Sequence, residues 1–338
     1  MRRLPVYFLI DVSESMVGEP IKQVDECINS IIFELRKNPY ALETAYISII
    51  AFAGSAHVIT PLTELCDLAR IPELPIGDGT SLNEGLICLM NDMERSIQKN
   101  TKEKKGDWKP IIFLLTDGVP TDNTDPAISR WNKEFRTHCN MIAVSLGSGA
   151  DTDVLSKLTD TVFRLSDVEL ATLTSFFKWV TASIEATSVA LSINSSDTLN
   201  LPKFDGINLE KINHGTVHSF DDRFVVLSAK CSKTDKPYLI KYERDIVGGY
   251  DIVGAYPIDG TSYKKYSSKI ASNKIFNTKN LHDNPSCPCC GNEIGMVSCG
   301  VCGKISCAGL DGHCLCAWCG NEGHLTMVDS LDVTRGLG

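Results

Sequence analysis

No stretch of this chain is apolar for anything near the ~20 residues that a membrane-spanning helix needs. The purest runs, such as Ile111 to Leu115, cover about a quarter of that length. Met1-Arg2-Arg3 ahead of an apolar run resembles the start of an export signal, yet the run ends after seven residues at Asp11 and no small-x-small cleavage site follows. A soluble, cytoplasmic protein without membrane contact is the expectation. Clustered positive charge is also missing. The 33 Lys and Arg are outnumbered by 42 Asp and Glu, and only residues 195 to 280 lean basic, with 13 bases against 10 acids. A nucleic-acid footprint needs bases gathered on one face, so nucleic acid is not the expected partner. Cysteine is sparse over the first 231 residues, where Cys27, Cys66, Cys88, Cys139 and Cys231 stand alone. Scattered cysteines of this kind are ordinarily inert core residues. The other nine crowd between Cys287 and Cys319.

What is present fits a folded chain of two domains. At 338 residues and 43% hydrophobic content it can bury an ordinary core. Leu4 to Ile10 reads as a buried strand ending on Asp11. Glu19-Pro20 opens a helix with Ile21, Val24, Ile28, Ile31 and Leu35 on one stripe, and Asn38-Pro39 is expected to end it. Tyr46 to Phe52 and His57 to Pro61 read as a hairpin at one side of a sheet, and Leu82 to Ile97 as an amphipathic helix. Ile111 to Leu115 is a second buried strand, ending on Thr116-Asp117-Gly118. A helix over Asp125 to His138, strands at Met141 to Leu146 and Thr161 to Leu165, a short helix between those strands, and a long helix opened by a Ser166-x-x-Glu169 capping box follow. Strands apolar on both faces, alternating with amphipathic helices, predict an α/β fold with a doubly wound, mostly parallel sheet over residues 1–190.

In such sheets the ligand site lies beyond the carboxyl ends of the strands, where the strand order reverses. Asp11 and Asp117 both stand at such ends. Behind Asp11 come Ser13 and Ser15, and Gly77-Asp78-Gly79-Thr80-Ser81 is a tight loop feeding a helix. Ser13 or Ser15 alone could simply cap a helix. Taken with Thr80 and Asp117, the segments bring Asp11, Ser13, Ser15, Thr80 and Asp117 together as a set of hard oxygens. Such a set suits Mg²⁺, Mn²⁺ or Ca²⁺ rather than zinc.

Asp11-x-Ser13-x-Ser15, Thr80 and Asp117-Gly118 resemble the metal-ion-dependent adhesion site of von Willebrand factor A domains, over about residues 4 to 190. The resemblance implies that Ser13, Ser15 and Thr80 bind Mg²⁺ directly or nearly so, that Asp11 and Asp117 act largely through water, and that a partner's Asp or Glu carboxylate fills an open position. Asp78 stands where many members of the family have Gly, which would add a carboxylate near the site.

From Ile193 the helix-and-strand alternation stops, and residues 191–338 are expected to form a smaller β-rich domain. Phe224 to Ala229, Pro237 to Tyr242 and Tyr250 to Tyr256 read as strands. Tyr263 to Lys279, mixing bases with aromatics, reads as a solvated linker face. Cys287-x-x-Cys290-Gly, Cys299-x-x-Cys302-Gly and Cys316-x-x-Cys319-Gly have the spacing of zinc knuckles. With Cys307 and Cys314 they supply eight thiolates for two structural Zn²⁺ sites. Nested pairing, first knuckle with last and the inner four together, is expected, and cross-braced pairing stays open. His313 is a possible substitute for Cys314, Cys289 a spare, and His282 and His324 surface residues.

Together with Asp222 to Thr234 and Gly254-Ala255-Tyr256-Pro257, these repeats resemble the TerY-type proteins of bacterial tellurium-resistance and stress systems, which carry a dedicated C-terminal metal-binding domain. That resemblance implies a non-enzymatic adaptor working beside a protein kinase and a PP2C-type phosphatase. Two alternatives remain. A metal-dependent phosphotransferase or phosphatase would need an acid where Ser13 stands, and a zinc-ribbon nucleic-acid adaptor would have to overcome the acidic tail.

Overall fold

Leu4–Asp11 (β1) lies within a seven-stranded sheet, and all eight of its residues are buried. Its side chains alternate between two cores: Leu4, Val6, Phe8 and Ile10 enter one, Tyr7 and Leu9 the other. A strand buried on both faces cannot alternate apolar with polar residues, and that accounts for the unbroken apolar run. The computed structural model describes residues 2–68, 70–103, 105–147, 149–165, 170–194, 209–211, 223–269, 274–309, 312–326, 328 and 330–336. The expected capping box at Ser166 and Glu169 lies outside these residues.

After β1 come the helices Glu19–Leu35 (α1) and Pro39–Thr44 (α2) and the hairpin Ala45–Phe52 (β2) and Ala56–Glu64 (β3). Leu82–Ser96 (α3), Ile111–Thr116 (β4), Asp125–Glu134 (α4), Asn140–Leu146 (β5), Thr152–Leu158 (α5), Val162–Leu165 (β6), Leu170–Asn194 (α6) and Leu209–Lys211 (β7) complete this part. The strand order is β3-β2-β1-β4-β5-β6-β7; the five inner strands are parallel and the edge strands β3 and β7 antiparallel to them. Helices α1, α2 and α6 cover one face, and α3, α4 and α5 the other. One local expectation holds but is incomplete. Asn38 does not merely end α1; its side chain accepts from Tyr40 N and Ala41 N and so starts α2, with Pro39 at the first position, where a missing N–H costs nothing. Strand β7 brings chain beyond residue 190 into the first sheet.

The remainder is β-rich. Phe224–Lys230 (β8), Pro237–Arg244 (β9) and Tyr250–Pro257 (β10) form an antiparallel meander, followed by the helix Gly260–Tyr266 (α7). Ile275–Asn277 (β11), Leu281–His282 (β12), Val297–Ser298 (β13), Ile305–Ser306 (β14), His313–Leu315 (β15), Glu322–His324 (β16) and Asp332–Thr334 (β17) are short. They extend the meander to β12-β10-β9-β8-β14-β13 and add the pairs β11-β17 and β15-β16. Among the described residues no helix is long and apolar enough to cross a membrane.

This β-rich part sits against the carboxyl ends of the first sheet. Val17, Val226 and Leu239 bury one another, each contributing roughly 1.5–3 kcal/mol. Tyr266 enters the core of the first sheet. The expectation of a solvated linker over Tyr263 to Lys279 is therefore corrected at its start: Lys264 and Lys265 face solvent, whereas Tyr266 between the two parts is buried. A helix only seven residues long presents its aromatic side to one partner and its lysines to water, a pattern too brief to read from periodicity.

Candidate metal centres

Strands β1 and β4 run side by side with Ile10 opposite Leu115, so the residues that leave them, Asp11 and Asp117, emerge at the same place. Asp11 Oδ1 accepts the Ser13 N–H at 3.0 Å, and Oδ2 accepts the Thr116 hydroxyl at 2.6 Å. Both bonds favour the carboxylate, but complete burial outweighs them and pushes its pKa up to about 6. The Ser13 side chain accepts no backbone N–H of the turn it precedes, so it does not act as a helix cap. Its hydroxyl lies 3.0 Å from that of Ser15, which donates to Asp117 Oδ1 at 2.9 Å.

The third segment is tied in by backbone. Gly77 bridges to Ser13, and its N–H reaches Val12 O at 2.9 Å. Thr80 N donates to the Thr121 hydroxyl and Thr80 O accepts from Thr121 N. This leaves the Thr80 hydroxyl beside Gly118, where an added methyl would lie 3.4 Å from it. All five predicted oxygen residues are thus brought together, and Asp117, at 8% exposed, is the most open of them. Two ligands at adjacent corners of an octahedron with bonds of ~2.0–2.1 Å stand about 2.9 Å apart. The Ser13 and Ser15 hydroxyls have that spacing, so the donor set fits a small hard dication. Asp78 turns elsewhere, its carboxyl standing beside that of Glu14.

The cysteines form two quartets whose sulfurs lie within 4.8 Å of one another: Cys231, Cys287, Cys290 and Cys307, and Cys299, Cys302, Cys316 and Cys319. Sulfur separations of 3.9 Å (Cys290 to Cys307, Cys307 to Cys231), 3.8 Å (Cys299 to Cys319) and 3.6 Å (Cys302 to Cys316) match the edge of about 3.8 Å of a tetrahedron with Zn–S bonds of ~2.3 Å. With four thiolates at each centre, no position is left for substrate, and the chemistry offered is structural.

This arrangement departs from the nested expectation in two ways. The second and third knuckles share one centre, and the first is completed by Cys307 and by Cys231, which stands alone in the sequence and reads there as an inert core cysteine. Cys314 joins neither quartet. The physical reason is strand pairing: Ser306 lies opposite Lys230 in the parallel pair β14 and β8, so the next residues, Cys307 and Cys231, meet. Cys314 is held in the hairpin of β15 and β16 opposite Gly323, beside the rings of His313 and His324, whose centroids are 4.2 Å apart. Neither His313 nor Cys289 belongs to a quartet.

A signal for Cys231 does exist in the backbone. In each knuckle the first Cys N–H bonds the carbonyl five residues on, while its own carbonyl accepts from a Gly four residues on at φ 74°, 70° and 72°. Cys231 repeats this turn, bonding Lys236 O and Asp235 N, with Asp235 at φ 58° in place of Gly and Thr234 in place of the second Cys. Asp tolerates the left-handed region better than most residues. Cys231 is half a knuckle, disguised by two substitutions.

Residues 6–178 match the von Willebrand factor type A domain, and residues 221–338 match the TerY-C metal binding domain. Among curated proteins the chain is 27% identical over 168 residues to inter-alpha-trypsin inhibitor heavy chain H6 of Homo sapiens, covering 46% of this chain and 12% of that one. It is 29% identical over 155 residues to heavy chain H1 of Sus scrofa, covering 44% and 16%. It therefore spans only a small part of the length of these relatives. Among solved structures, a von Willebrand factor type A protein from Catenulispora acidiphila is 18% identical with a TM-score of 0.41, over 54% of this chain and 43% of that one. Proximal thread matrix protein 1 from the mussel byssus, with a zinc-occupied MIDAS motif, is 17% identical with a TM-score of 0.41, over 55% and 46%. With the oxygen cluster on the first sheet and the thiolate quartets behind it, the chain belongs to the von Willebrand factor type A domain family and carries a TerY-C metal-binding domain after it.

Proposed function

We propose that the protein is a metal-dependent protein-interaction adaptor. Asp11, Ser13, Ser15, Thr80 and Asp117 would hold one Mg²⁺, or Mn²⁺ in its place, and the bound ion would supply a positive centre for an Asp or Glu carboxylate of a partner protein. Asp11 and Asp117 are engaged by hydroxyl and amide donors of this chain. That engagement spreads their charge and limits how far they neutralise a cation beside them, so the site stays attractive to an outside acid. The observation that carries the reading is the 3.0 Å hydroxyl pair of Ser13 and Ser15 standing among oxygens from three separate segments.

The two thiolate quartets would each hold Zn²⁺ and fix the shape of the knuckle region, where few apolar residues lie between the cysteines. The partners that fit a chain of this domain composition are a protein kinase and a PP2C-type phosphatase, held together in a cytoplasmic tellurite-resistance or stress response. The test is capture of the purified kinase and phosphatase by the immobilised protein. Binding is expected in Mg²⁺ and is lost with Asp11→Ala or excess chelator. Equal capture in chelator would refute the proposal.

A further inference from the structure

The loops around the oxygen site are tied to the chain's own second domain. Lys241, on strand β9, is 3% exposed. Its ammonium donates to Ser15 O and Val17 O, within the turn that carries the serines of the oxygen site. From helix α7 the Tyr263 hydroxyl donates to Glu14 Oε1, between those two serines. Just beyond α7, Ser268 N donates to Asp78 O at 3.1 Å and the Ser267 hydroxyl accepts from Asp78 N at 3.0 Å, on the loop that leads to Thr80. Ser55 completes the ring, its N–H bonding Tyr266 O at 2.9 Å and its hydroxyl Lys265 O at 2.7 Å.

The approach is close enough that a Cβ on Gly54 would fall 2.0 Å from Ser268 N, and one on Gly77 2.7 Å from Tyr266. These interactions differ from ordinary domain packing in what they hold. Apolar burial brings the two parts together, but the bonds of Lys241, Tyr263, Ser267 and Ser268 end on the two loops that carry Ser13, Ser15 and Thr80, and those of Ser55 on the turn beside them.

We propose that the second domain is a lid latched over the oxygen site, and that a partner's carboxylate reaches the ion by displacing the latch formed by Lys241 and Tyr263. The proposal rests on the oxygen site being the point of partner attachment, and it adds that the chain as folded is the closed form. Lys241 is the principal latch because a buried ammonium on two carbonyls makes charge-assisted hydrogen bonds, which break outright when the lid lifts. Tyr263 adds a second tie, from helix α7 to the Glu14 side chain between the two serines.

The test compares the full-length protein with Lys241→Met/Tyr263→Phe, which keeps side-chain volume while removing both latches. A rim variant, Ser55→Ala/Ser267→Ala, loosens the same interface from outside the core, and Lys279→Met, at an exposed turn, serves as control. Amide hydrogen exchange is followed on zinc-loaded protein in buffer free of Mg²⁺ and Mn²⁺. The lid predicts exchange faster by on the order of tenfold or more at residues 13–18, 54–55 and 77–80 in the latch variant, a smaller rise in the rim variant, and none at the β1 and β4 amides or in the control. With Mn²⁺ as probe, water-proton relaxation by the bound ion should rise at least twofold when the latches are cut.

Unchanged exchange in those three loops in both variants, or relaxation identical to the native protein, would overturn the lid. If Mn²⁺ binding is insensitive to Asp11→Ala, the reading of the oxygen site fails, and the exchange experiment still decides on its own whether the second domain is latched.

Discussion

Replacing Cys231 with Ser should remove one zinc site, whereas the same change at Cys314 should leave both. The expectation follows from where the sulfurs lie. Cys231 is fully buried, 3.9 Å from Cys307, in a quartet with Cys287 and Cys290, and Cys314 is on a surface hairpin outside both quartets. Structural zinc in Cys-rich peptides is held by ~10–16 kcal/mol, so one of four thiolates accounts for about 3 kcal/mol, or roughly a hundredfold in affinity. Competition with a chromophoric chelator would report that loss directly. Cobalt substitution adds a second reading, since the thiolate-to-cobalt absorption scales with the number of sulfurs bound. The native protein and Cys314→Ser should each hold two equivalents, with Cys231→Ser retaining one tightly bound. Loss of an equivalent in Cys314→Ser together with full retention in Cys231→Ser would refute the assignment drawn from strand pairing.

Other outcomes follow from the same geometry. At the half-knuckle turn, Asp235→Gly should be neutral or mildly stabilising, whereas Asp235→Val, which forces a β-branched residue to φ 58°, should cost about 1–2 kcal/mol in urea unfolding of the zinc-loaded protein. Stripping zinc should raise hydrogen exchange across β8, β9 and β14 and leave β1 and β4 protected, because their core contains none of the quartet sulfurs. Trp131 is wholly buried, with its indole N–H bonded to Leu158 O at 3.0 Å. Trp131→Ala should therefore destabilise the first domain by about 3–5 kcal/mol without altering zinc content.

The oxygen site is readable from sequence because its parts are short and local: each Asp ends an apolar strand, and the Thr follows a glycine-flanked turn. A parallel sheet then leaves few places for them to go. The same logic locates β2, β3, β5 and β6. Cys231 is not readable because its knuckle lacks the second Cys and the Gly, and only the parallel pairing of β14 with β8 brings it to Cys307.

The covering of the site is equally hidden. Lys241 looks like the exposed position of an alternating strand, yet it is buried because the carbonyls it reaches lie more than two hundred residues earlier. Tyr263 and Tyr266 look like aromatics in a basic linker for the same reason. Packing between domains leaves no periodic trace in either partner, so hydrophobic patterning cannot announce it.

The central claim is that three separated segments of the first domain hold a single dication. Mn²⁺ titration monitored by electron paramagnetic resonance, on zinc-loaded native protein and on Asp11→Ala and Thr80→Ala, addresses it most directly. The account predicts one tightly bound Mn²⁺ per native chain, its loss in Asp11→Ala, clear weakening in Thr80→Ala, and unchanged zinc content throughout. The same Mn²⁺ stoichiometry and affinity in all three proteins would contradict it.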